Sequence, residues 1–143
     1  MLAASSLPDE VCERLGPHFP ELDLRRVLLC QRLPWHVRSF AVISPAAYTS
    51  GFRIYLAPGV LDVFDDEALS LLAHELAHVR QFQQTRFFRS RYAAEYFRLR
   101  ARGAGKAEAY ARISFEVEAR RIEETVRREL TAFVGYHPVD RGT

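Results

Sequence analysis

The feature that most constrains this chain is the stretch 65–84, in which apolar residues recur at two phases of a helix. Leu69, Leu72, Leu76 and Val79 fall on one stripe by their three-four-three spacing, while Leu71, His74, His78 and Phe82 lie on the opposite side. A helix that is apolar on both sides is buried on both sides, so the rest of the chain must supply a layer for each. Asp65 or Asp66 is placed to cap its start, and the pattern runs to about Gln84. Buried among these residues is His74-Glu75-Leu76-Ala77-His78. Two unpartnered imidazoles with a carboxylate between them are costly to bury, and a metal ion removes that cost. Histidines four apart project from one face, a turn above each other, so both reach the same ion. Glu75 lies about 100° round the helix from His74. That places it to face a water on the metal as general base without being a ligand.

Ahead of this helix the periodicity is that of strands. Val27-Leu28-Leu29-Cys30, within Leu22 to Leu33, suits a buried strand, and Trp35, Phe40, Val42 and Ile43 suggest another before Ser44-Pro45. Ser50-Gly51 marks a turn, after which Phe52 to Leu56 alternates until Pro58-Gly59 stops it. A short helix is expected from Leu7 to Leu15, ended by Gly16-Pro17. Beyond Gln84, Arg91 to Arg102 reads as helical and ends at Gly103-Ala104-Gly105. A last helix starts near Lys106 or Ser114, carries Phe115, Ala119, Ile122, Val126, Leu130 and Phe133, and closes at Gly135 and Pro138. A small sheet followed by helices is an α+β arrangement, expected as one domain over residues 1–143.

Charge and composition narrow the partners. The 20 basic residues against 18 acidic ones give a net charge of +2, and among the basic residues only Lys106 is a lysine. Between Arg86 and Lys106 six arginines and that lysine face one acid, Glu95. A positive field confined to one segment argues against a dedicated nucleic-acid binder. The stretch Arg86 to Tyr92 is compatible with an anionic membrane surface, but a helix connection with aromatics inward and arginines in solvent is the favoured reading. Local selection of acidic peptides is a third use. Nothing in the chain resembles a signal peptide or a membrane span, so a cytoplasmic location is expected. Cys12 and Cys30 read as free thiols, with a single bridge as the alternative.

A catalytic zinc site takes three protein ligands and keeps one position for water. The extended motif with glycine and histidine after the second histidine is absent, since Gln81 and Gln84 hold those places. The histidines left over are His18, His36 and His137. Carboxylates on a later helix come from Glu116 and Glu118, which flank the stripe of Phe115, Ala119, Ile122 and Val126 at similar angles. Helical phase does not separate them, and Glu95 and His137 also stay open.

Several segments carry a family resemblance: Leu7-Pro8, Leu22 to Val27, Thr49-Ser50-Gly51 before Arg53 to Gly59, and Leu71 to Val79 followed by Gln81. Together, over about Ser5 to Gln84, they resemble a zincin-like domain family found in proteins linked to extracellular contractile injection systems. The resemblance implies a sheet strand beside the active-site helix, one zinc ion held by two histidines, and peptide-bond hydrolysis. Phe52 to Leu56 is then the candidate edge strand for an extended peptide or protein substrate, with plain sheet core as the equal alternative. Glu116-Val117-Glu118-Ala119 is similar to the Glu-x-x-Ala/Ser segment of thermolysin-like zinc proteases, the gluzincins. That similarity implies Glu116 as the third ligand, beside His74 and His78. Those enzymes often place an aspartate where this chain has Arg120, so the resemblance does not assign the groups that orient the histidines.

The expected function is a zinc metallopeptidase with Glu75 as general base. Tyr110, Tyr136, His137 and several arginines are unranked donors for the oxyanion. The alternative is a catalytically silent metal-binding module that recruits or decorates a larger assembly, and a further one is a basic-aromatic binding protein whose metal is structural.

Overall fold

The computed structural model describes residues 3–40, 46–60 and 65–134. It is an α+β arrangement whose order is β1 (Ala4–Ser6), α1 (Asp9–Leu15), β2 (Leu28–Cys30), α2 (Trp35–Phe40), β3 (Ala47–Ser50), β4 (Arg53–Leu56), α3 (Asp66–Gln84), α4 (Phe88–Ala101), α5 (Lys106–Arg112) and α6 (Ser114–Val134). Pro8 caps α1 and Gly16 ends it. Both cysteines are free thiols.

Four strands form one mixed sheet in the order β1-β2-β4-β3, with β2 and β4 parallel and the outer pairs antiparallel. Residues directly opposite one another in a sheet share a face. Leu29, Ile54 and Thr49 stand opposite in turn, so they form one row across three strands, and all three are buried. That row ends in a hydroxyl at the edge strand, against α3.

Two expectations are corrected. Residues Trp35–Phe40 are helical rather than extended: the helix starts directly after Pro34, and among the described residues no strand pairs with them; Val42 and Ile43 lie outside the described residues. The strand read at Phe52 to Leu56 begins at Arg53, and it is interior, flanked by β2 and β4's hairpin partner β3. The Ser50-Gly51 turn folds the preceding residues back along its outer side. Gly51, at φ 60°, takes the first place of a two-residue loop, a conformation that lets the hairpin twist match its strands. The free edge next to α3 is therefore β3.

α3 is covered on both faces, as its two apolar phases require. Leu69, Leu72, Leu76 and Val79 are almost fully buried in the same core as Leu29, Ile54 and Leu56. Asp65 caps its start by accepting from Ala68 N at 2.8 Å. The other side meets α6, where Ala119 is completely buried and its small side chain lets the two helices approach closely.

α4 begins at Phe88, three residues before the expected start, and ends where the glycines lie. Gly103, at φ 98°, lets its own N–H donate to Arg100 O and that of Ala104 donate to Leu99 O, closing the last turn. Glu95 does not approach the histidines. Its carboxylate accepts from Ser114 N at 2.9 Å and from Ser114 Oγ at 2.8 Å, tying α4 to the first residue of α6. Gly135, Tyr136, His137 and Pro138 lie outside the described residues.

Candidate metal centre

His74 and His78 on α3 and Glu116 on α6 bring three ligand atoms to one point. His74 Nε2 and His78 Nε2 are 3.2 Å apart. Glu116 closes the triangle, with Oε2 at 3.2 Å from His74 Nε2 and Oε1 at 3.2 Å from His78 Nε2. The three residues are close enough to hold a metal ion. Bonds of about 2.0–2.1 Å at tetrahedral angles would separate ligand atoms by roughly 3.3 Å, which the two Nε2 atoms match, as does each Nε2 with its own Glu116 oxygen.

The chemistry of the donor set fits an ion as well as the size does. His74 Nδ1 lies 2.9 Å from Glu123 Oε2, an acceptor that fixes the proton on Nδ1. His78 Nδ1 lies 2.8 Å from Gln81 Oε1. Gln81's amide nitrogen donates to Phe115 O at 3.0 Å and to Glu118 Oε2 at 2.8 Å, which settles which end of the amide faces the imidazole. With both Nδ1 atoms carrying hydrogens, both Nε2 lone pairs converge on the Glu116 carboxylate. Three converging acceptors repel one another unless a cation, or protons, lie between them.

Electrostatics of the unliganded cluster follow from the same contacts. Burial pulls the His74 imidazole downward, but the hydrogen bonds to Glu116 and Glu123 and the charge of Glu75 outweigh it and hold its pKa up at about 10. His78 is also raised, since burial is outweighed by Glu116 and Glu75. Burial pushes Glu116 up, yet the two histidines and Tyr92 hold it far below the ordinary carboxylate range. Glu123 is lowered chiefly by its hydrogen bond with His74.

Glu75 is 5% exposed and borders the same cleft. Thr49 Oγ1, the last group of the β-sheet row, donates to Glu75 Oε2 at 2.6 Å. It also reaches the Glu75 carbonyl oxygen at 3.3 Å, which fixes strand β3 to the helix at this residue. Tyr92 on α4 donates its hydroxyl hydrogen to Glu116 Oε1 at 2.7 Å. Tyr110 on α5 lines the cleft, and burial followed by the nearby Glu116 and Glu75 charges pushes its hydroxyl pKa up, so it stays protonated.

The structure separates the two candidates that helical phase left equal. Glu116 is 2% exposed and faces the histidines, whereas Glu118 turns to Arg80 Nη2 at 2.6 Å and to Gln81. Arg120 points away, donating to Ala111 O. His18 pairs with Glu129 at 2.8 Å, and His36 stands at the cleft wall. Sequence reasoning missed Glu123 and Gln81 as orienting groups. Glu123 follows Glu116 by seven residues, two turns along the same helix face, and that spacing was a readable signal.

The eCIS core domain model matches residues 6–86, more than half of the chain. The chain belongs to the eCIS core domain family. The match to the eCIS core domain contains His74, Glu75 and His78, whereas Glu116, Glu123, Tyr92 and Tyr110 come from residues beyond it. Neither a curated protein nor a solved structure matches the chain. Among the described residues no helix is long and apolar enough to cross a membrane.

Proposed function

We propose that this eCIS core domain protein is a zinc-dependent metallopeptidase with a zincin-like active site. His74, His78 and Glu116 would hold the ion and Glu75 would act as general base. The single observation that carries this reading is the combination of His74, His78 and Glu116, close enough to hold an ion, with a carboxylate next in sequence to His74 that is not part of the group. A structural zinc site has no use for that carboxylate and normally takes four protein ligands.

When bound, zinc lowers the pKa of its water toward neutrality and polarises a carbonyl group. The chain's own residues do the rest. Thr49 engages Oε2 of Glu75, so Oε1 is the oxygen that takes a proton from the attacking water and returns it to the leaving amine. Glu123 and Gln81 keep the two imidazoles in the tautomer that presents Nε2. Tyr92 holds Glu116, and Tyr110, protonated and at the cleft wall, is the donor for the developing oxyanion. The unpaired edge of β3 borders the cleft, which suits an extended peptide laid along residues 46–50.

The test pairs metal analysis of the purified protein with a peptide-library digest by wild type and Glu75→Gln. Bound zinc, together with a loss of about 10²- to 10⁴-fold in hydrolysis in the variant, is the expected result. Zinc without any difference between the two digests favours a second reading, which family membership supports: a silent metal-bearing module within a larger injection-system assembly.

A further inference from the structure

Beside the metal triangle lies a cleft of about 470 Å³, within the range of pockets that enclose small ligands. One end is the polar cluster of Glu75, His78 and Glu116. Much of the rest is aromatic: Phe82, Phe88, Tyr96 and Phe97 neither hold the metal cluster nor take part in proton transfer, and Tyr92 and Tyr110 complete the wall beside Glu116. Phe88 is 7% exposed and lies 6.4 Å from the His78 ring, 4.4 Å from Phe82 and 5.8 Å from Tyr92. One turn or two further along α4, Ala93, Tyr96 and Phe97 continue the wall outward, and Phe97 is 66% exposed at its rim. Arg89 also lines the cleft, but its guanidinium donates to Ser50 Oγ and lies 5.6 Å over the Phe82 ring. Arg89 itself is exposed, so its charge sits in solvent at the mouth rather than inside the aromatic wall.

Resting on the peptidase reading above, we infer that this cleft is a specificity pocket for a bulky apolar side chain, aromatic or leucine-like, on the residue next to the scissile bond. An aromatic wall that begins against a metal-ligand histidine admits a side chain whose backbone lies at the metal. Apolar burial is what such a wall rewards, and an acidic side chain would lose its hydration against the rings, beyond the exposed Arg89 at the mouth. Phe88, Tyr92, Tyr96 and Phe97 of this wall belong to α4, outside the residues matched by the family model, while Tyr48 and Phe82 lie within them, so this chain's own C-terminal half supplies most of the aromatic surface.

Binding is measured by calorimetry on full-length Glu75→Gln, with and without added zinc, using blocked tetrapeptides that differ at one position: phenylalanine, leucine, alanine or aspartate. Phenylalanine and leucine peptides are expected to bind at least about tenfold more tightly than the alanine and aspartate ones. Ala93→Trp, an exposed position whose new ring fills the pocket, is expected to abolish that preference. Ala94→Trp, exposed on the same helix but not at the cleft, is expected to keep it. Equal affinities, preference for aspartate, no detectable binding of any peptide, or a preference untouched by Ala93→Trp would each overturn the pocket. Apolar preference without hydrolysis by wild type would sink the peptidase reading and leave the pocket standing. Hydrolysis without side-chain preference would do the reverse.

Discussion

Gln81 Oε1 stands 2.8 Å from Nδ1 of His78, and the amide is locked in that orientation because its nitrogen donates to Phe115 O and Glu118 Oε2. A residue that the sequence marks only as part of a family resemblance and as a departure from the extended histidine motif thus settles which nitrogen of His78 faces the metal position. Removing it leaves a buried imidazole N–H without a partner. Gln81→Ala is expected to weaken zinc binding by about 10- to 100-fold, the usual cost of losing an orienting partner, as read by competition with a chromogenic chelator. Unchanged affinity would show that the amide does not set the tautomer.

Glu116 and Glu118 differ by one short step along α6 but face different surroundings. Glu116→Ala is expected to abolish stoichiometric zinc binding, while Glu118→Ala retains it with a smaller loss through Gln81. Metal content of the two purified variants decides the matter. The reverse pattern would move the third ligand to Glu118.

Thr49→Val keeps the shape of the edge strand and removes the hydroxyl from Glu75. A hydrogen bond to a charged group contributes about 1.5–3 kcal/mol, so kcat is expected to fall roughly 10- to 100-fold with zinc content unchanged. Steady-state kinetics on any cleaved peptide, with metal analysis alongside, checks both halves. A fall in zinc content instead would mean that Thr49 supports the ligands rather than the base.

Metal removal is expected to cost stability, because the ligands join α3 to α6. With free zinc at about 1,000 times Kd the holo form gains about 4 kcal/mol, or roughly 10 °C in Tm for a chain of this size. Thermal unfolding with and without a chelator measures it. Coincident curves in a protein shown to contain zinc would contradict the proposed coupling between the helices.

How much of this was legible in the sequence varies with the range of the interaction. α3 was readable because its cap, its two apolar phases and its end are all local, and Asp65 to Gln84 agrees with the structure. The hairpin turn at Ser50-Gly51 was readable for the same reason. β1 and β3 were not, since three or four residues such as Ala4–Ser6 become strands through distant partners and carry no pattern of their own. Trp35–Phe40 misled because bulky apolar residues favour strands on average, whereas these follow Pro34 as a helix. The choice of Glu116 over Glu118 depended on which flank of α6 meets the histidines, a tertiary fact that helical phase does not contain. Glu123 was within reach of sequence reasoning, two turns from Glu116 on the same helix face.

The two histidines and the general base sit in the family-matched segment, while the remaining ligand and most of the aromatic wall arrive after residue 86. On the peptidase reading proposed above, the cutting tool and most of its gauge lie in separate stretches, riveted by one carboxylate. Substitutions at Ala93, Tyr96 and Phe97, away from Phe88 beside the His78 ring and Tyr92 on Glu116, would retune what is admitted, which makes that helix the natural place to re-engineer selectivity.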